Sequence, residues 1–137
     1  MWKRRTRAAV SAAAVMAGVG AGCGQQEVSF RQDVHPILQQ NCSTCHAPGG
    51  KGFSASGFSV ESYDSVMKGT KFGPVVDPGS SVSSTVVILI EHKADPSINM
   101  PQRLAHQKFL ADWKVPKLPE EDIDLIKTWI DQGAKNN

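Results

Sequence analysis

The segment that most constrains this chain is Cys42-Ser43-Thr44-Cys45-His46. On a helical turn, residues i and i+3 share one face. Two thiols so placed can add to the two vinyl groups along one edge of a haem, and the histidine that follows at once reaches the iron from one side. The pattern therefore predicts one covalent haem c, held by thioethers from Cys42 and Cys45 and ligated by His46. Three other readings compete. A structural zinc site needs four protein ligands, no second Cys-x-x-Cys exists, and the other histidines do not fall at zinc-finger spacing. A thioredoxin-like pair needs a βαβ context that the surrounding sequence does not supply. A plain disulfide leaves the adjacent histidine without a purpose.

The third cysteine, Cys23, closes an apolar stretch. Residues 1–7 carry Lys3, Arg4, Arg5 and Arg7, and residues 8–22 are uncharged and rich in Ala, Val and Gly. A charged start, an apolar middle and small residues at the end form the layout of an export signal. The uncharged run has 15 residues, short of the roughly 20 that a membrane span requires. Gly20-Ala21-Gly22-Cys23 resembles a lipobox, with Gly20 where lipoproteins usually carry Leu or another aliphatic. Residues 1–22 are thus expected to be a cleaved export signal, Cys23 a lipidated residue, and 23–28 a tether. The product would be periplasmic and membrane-anchored.

The formal charge of +2 misleads, because four of the basic residues lie in that leader. Without them eleven Lys and Arg face thirteen Asp and Glu, a net of −2. No nucleic-acid partner is implied. Three cysteines also defeat a simple paired-disulfide framework.

The mature sequence reads as short helices joined by loops. Ser29-x-x-Gln32 suggests a capping box, and Phe30, Val34, Ile37 and Leu38 fall at helical spacing. Pro36 either kinks a helix running from Ser29 or begins one. Pro48 and glycines 49, 50, 52 and 57 predict loop over 47–58. A helix is expected from about Val60 to Lys68, capped by Ser59 and stopped by Gly69, and a turn at Asp77-Pro78-Gly79-Ser80. Thr85–Ile90 reads as strand by propensity, but no second strand exists to pair with it, so helix is preferred. Residues 119–132 form the clearest helix. Pro119 is placed at its first position, Glu120, Glu121 and Asp122 complement its dipole, and Gly133 stops it.

Haem iron is often held by histidine on one side and methionine on the other. Met1 and Met16 fall in the leader, and Met67 lies on an apolar helix face. Met100 precedes Pro101 in a polar loop, and a residue before proline is pushed to extended backbone. Met100 is therefore the preferred sixth ligand, with His92, His106 and His35 as rivals. Methionine would raise the reduction potential.

Residues 30–46, from Phe30 through Pro36-Ile37-Leu38 to His46, resemble the opening of class I cytochromes c, and especially the planctomycete-type cytochrome c domain. Tyr63–Gly69 is similar to that family's middle helix, Val76–Ser80 to its turn, Met100-Pro101 to its ligand loop, and Ile126–Ala134 to its closing helix. The resemblance spans residues 29–134. It implies an all-α, small cytochrome c fold, with helices and loops wrapped around one haem whose edge is exposed. Residues 102–117 exceed the short link expected there. Leu104, Phe109, Leu110 and Trp113 suggest a small amphipathic helix or surface excursion.

The first functional expectation is single-electron transfer, without catalysis, between redox proteins outside the cytoplasm through transient contacts. The second is haem-based gas or peroxide binding or catalysis, which requires an open sixth position. The third is a zinc or structural module on a lipid anchor.

Overall fold

The computed structural model describes residues 26–102 and 117–137. The expected export signal, Cys23 and its tether up to residue 25, His106 and the excursion at 103–116 lie outside the described residues. What is described is helical, with an isolated bridge between Thr70 and Gly73 as its single extended pairing. The fold is all-α. No helix among the described residues is long and apolar enough to cross a membrane.

The chain enters helix at Ser29, whose Oγ accepts the Gln32 N–H. The first turn, Phe30–Val34, is wide: the Val34 N–H reaches back five residues to the Ser29 carbonyl. This extra residue per turn brings Asp33 over the cap in place of Gln32. Asp33 Oδ2 accepts the Ser29 N–H at 2.8 Å, so the reciprocal cap forms one residue later than the sequence suggests. The wide turn runs directly into α1 (His35–His46), with Pro36 in the first turn of α1. Phe30, Val34, Ile37 and Leu38 are all buried, as their spacing predicts.

After α1 the structure departs from the expected loop. A short helix, α2 (Lys51–Ser56), occupies the middle of residues 47–58. Its glycines lie at its ends and at a contact: Gly50 is the N-cap, and Gly57 stops the helix at φ 77°. The next helix, α3 (Tyr63–Lys68), is shorter than expected. Ser62, not Ser59, is its N-cap: Ser62 Oγ accepts the Ser65 N–H, because residues 58–60 run along α1 instead. Val60 is fully buried there. The Asp77–Ser80 turn forms, with the Ser80 N–H on the Asp77 carbonyl.

Thr85–Ile90 is helix α4. Val87 and Ile90, three apart, face the core, so helical burial overrides β propensity. The last helix, α5 (Glu120–Asp131), starts one residue after the expected position. Pro119 is its N-cap, with its carbonyl accepting the N–H groups of Asp122 and Ile123.

The core gathers Ile123, Ile126, Trp129 and Ile130 of α5 against Phe30, Val34, Val60, Val66, Val87 and Ile90. Few aromatics serve it, but they meet at one place. Phe30 lies 5.3 Å from both Tyr63 and Trp129, edge-on to the first. The polar tips are satisfied: Tyr63 Oη donates to the Ala134 carbonyl and Trp129 Nε1 to that of Lys135.

Candidate haem site

Cys42, Cys45 and His46 occupy the last turn of α1. Neither cysteine is in a disulfide. Cys42 packs against the core and is half-buried. Burial, with a smaller effect from Cys45 beside it, pushes the Cys42 thiol up to about 11. The site therefore favours an uncharged sulfur, and a thioether is uncharged.

His46 is 8% exposed. Its Nδ1 lies 3.2 Å from the Phe58 carbonyl oxygen. A carbonyl can only accept, so Nδ1 carries the proton and donates, which leaves Nε2 with a free lone pair. Burial holds the imidazole pKa below its ordinary value, partly opposed by the Phe58 hydrogen bond. The ring is thus neutral, in the tautomer that a metal ion needs, and its orientation is fixed from behind.

Two glycines permit this arrangement. After α1 the chain doubles back, and a Cβ on Gly50 would overlap the Cys45 carbonyl group. A Cβ on Gly52 would stand 2.7 Å from Cε1 and 2.9 Å from Nε2 of His46. Segment 58–60 then returns along α1, and the Val60 N–H donates to the His46 carbonyl at 3.1 Å. The Phe58 ring meets the His46 ring edge-on at 5.3 Å. Sequence reading missed Gly52 and the Phe58 carbonyl. The cluster of glycines immediately after the motif was the available signal, read as loop where it marks close backbone approach.

Met100 follows α4. Its N–H donates to the Leu89 carbonyl at 3.1 Å, and its side chain is half-buried against the same apolar core as Cys42. The Met100-Pro101 peptide is cis. His92 Nε2 lies 3.0 Å from the Met100 carbonyl oxygen and so anchors that loop. His35 is also engaged, 3.1 Å from Gln39 Nε2 and stacked on Phe30. Met67 packs against the core. Among the described residues no three His, Cys, Asp or Glu side chains gather in a metal-sized cluster, which leaves a four-ligand zinc site without support there.

These residues fit a covalently attached haem: two free cysteines at i and i+3, and a neutral histidine with Nε2 available. The same segment matches a family model, that of Planctomycete cytochrome C, over residues 42–103. That match supports a planctomycete-type cytochrome c domain over residues 42–103. Such a domain binds haem c. The cytochrome domain is also similar to hydrazine synthase subunit alpha of Kuenenia stuttgartiensis, at 26% identity over a 135-residue alignment. That alignment covers 81% of this chain and 16% of the relative, so this chain corresponds to a small part of that subunit. No solved structure matches the chain.

Proposed function

We propose that this cytochrome domain is a mono-haem electron carrier that works outside the cytoplasm. Cys42 and Cys45 would hold the haem through thioethers, His46 Nε2 would bind the iron, and Met100 would supply the sixth ligand. When bound, the haem supplies a one-electron couple whose potential the axial ligands and burial set. The observation that carries the reading is the buried His46, neutral and oriented by Phe58, directly after two free cysteines on one helical face. Covalent attachment suits an exported protein, since the cofactor cannot be lost by dilution. The leader and a lipid on Cys23 would keep the domain at a membrane surface, where other redox proteins meet it transiently.

A second reading is haem catalysis or gas binding. It draws on the relative, whose name denotes an enzyme subunit. Under that reading Met100 leaves the sixth position open.

A visible absorption spectrum of protein matured with cytochrome c machinery tests both. Sharp reduced c-type bands with a far-red sulfur-to-iron band in the oxidised form support the carrier. Haem bands without the sulfur band, together with ready carbon monoxide binding by the reduced protein, support catalysis or sensing. Absence of haem bands overturns both.

A further inference from the structure

We propose that Gln39, two helical turns before His46, is a positioning residue for the His46 imidazole. The inference rests on the haem reading above and adds a residue that the attachment motif does not contain.

The Phe58 carbonyl that orients His46 belongs to a main-chain strap, Phe58-Ser59-Val60. All three residues are buried, with Val60 fully so. Val60 bridges two points of α1. Its N–H donates to the His46 carbonyl at 3.1 Å, and its carbonyl accepts from Gln39 Nε2 at 2.6 Å. At the other end the Phe58 N–H donates to Ser56 Oγ at 3.1 Å. The strap therefore has two bonds to His46, one side-chain bond to α2, and a distant tie to Gln39, with His35 Nε2 3.2 Å from the same Val60 carbonyl.

Gln39 is well suited to hold that distant tie. A side-chain amide has two N–H bonds to donate, and His35 Nε2 lies 3.1 Å away; that nitrogen accepts from Gln39 when the ring proton is on Nδ1 and is a second donor to Val60 when it is on Nε2. The His35 ring is stacked on buried Phe30 with centroids 5.2 Å apart. The amide is thus braced from the core side while it holds the Val60 carbonyl. Without it the carbonyl of a fully buried residue loses its closest donor, and the strap shifts toward the farther one, His35 Nε2, which lies 3.2 Å from that carbonyl. A shift of the strap moves the Phe58 carbonyl and turns the imidazole that donates to it. Gln39 acts on His46 through Val60 and Phe58.

The test compares wild type, Gln39→Met and Gln40→Met as matured holoproteins. Gln39→Met keeps an unbranched side chain of similar length without a donor. Gln40 is exposed on the same helix and is the control. Two signals are read: hydrogen exchange of the Val60 amide, and the hyperfine-shifted haem methyl resonances of the oxidised form, which respond to the imidazole plane. Gln39→Met should speed Val60 exchange about fivefold, the ratio that one lost hydrogen bond corresponds to, and should rearrange the methyl pattern. Gln40→Met should change neither. Should Gln39→Met fail to mature, Gln39→Glu, which also cannot donate to Val60, carries the same expectation. A Gln39 variant of lowered stability with the wild-type methyl pattern overturns the proposal and leaves Gln39 a brace of the fold alone. Unchanged Val60 exchange overturns it as well. A wild-type protein without c-type bands fails at the earlier step, and that outcome is seen before any variant is compared.

Discussion

Gly52 lies against the edge of the His46 imidazole, so close that a Cβ there would stand 2.7 Å from Cε1. The same Cβ would stand 3.0 Å from the Cys45 carbonyl oxygen. The substitution Gly52→Ala therefore has no direction in which to yield without moving the haem motif. Overpacking of this kind costs about 1–3 kcal/mol. We expect Gly52→Ala to lower the melting temperature and to reduce haem incorporation, read as the ratio of haem absorbance to protein. Gly49, where a Cβ would meet nothing, gives the contrast: Gly49→Ala should leave haem incorporation unchanged, although its φ of 87° adds some strain.

Met100 is tied by its N–H to the end of α4 and by its carbonyl to His92, so its side chain can be removed while the loop keeps both anchors. Met100→Ala should abolish the far-red sulfur band and lower the reduction potential, by part of the ~0.8 V that axial ligands span. A thioether does nothing to offset the extra charge of ferric iron, so its loss favours the oxidised state. Retention of the band in this variant would assign the sulfur ligand elsewhere, with Met67 the remaining methionine among the described residues.

Most of the helical framework was legible because burial repeats with the helical period. Phe30, Val34, Ile37 and Leu38 announced the first helix in this way, and the last was marked by Pro119, the acidic run Glu120-Glu121-Asp122 and Gly133. Thr85–Ile90 was decided against its own propensity by the lack of a partner strand. The haem motif was legible because two cysteines and a histidine are chemically rare together. What orients that histidine was not. The Phe58 carbonyl is a main-chain acceptor, and any residue at position 58 offers one. Gln39 acts at a distance of two turns through a backbone strap. Helix α2 was hidden because its glycines were read as freedom, whereas Gly50 and Gly52 serve contact with Cys45 and His46.

Glu91 terminates α4 between two lysines, with Lys93 Nζ at 2.6 Å and Lys127 Nζ of α5 at 3.1 Å. The Lys93 hydrogen bond first, and Lys127 next, hold its carboxyl below the usual glutamate range. A depressed pKa stabilises the fold above the unfolded value and loses that contribution as pH falls through the folded value. Stability should therefore fall from roughly pH 5 downward, and Glu91→Gln should flatten that limb. At neutral pH the variant should cost about 0.5 kcal/mol, since pairs near the surface are screened. Urea unfolding at pH 7 and pH 4 checks this: wild type and variant should differ at the first pH and converge toward the second.

The opposite end of α1 from the haem motif is closed by the C-terminal segment. Asn137 Oδ1 accepts the N–H of buried Phe30 at 2.8 Å, and its main-chain oxygen accepts that of Arg31 at 3.0 Å. Both donors belong to the first turn, where backbone N–H groups lack helical partners. Asn137→Ala removes the acceptor for Phe30 and should cost about 1–2 kcal/mol, the penalty for an unsatisfied buried donor. Asn137→Asp keeps an acceptor and adds negative charge at the positive end of the helix, worth about 0.3–1 kcal/mol. It also removes the Asn137 Nδ2 donor to the Val28 carbonyl at 3.3 Å, the longest of these contacts. The aspartate variant should therefore melt close to wild type and the alanine variant below it. Both should keep the wild-type haem spectrum, because His46 and Phe58 lie at the far end of the helix. A changed spectrum in Asn137→Ala would mean that α1 moves as one rigid rod and carries the disturbance from its first turn to its last.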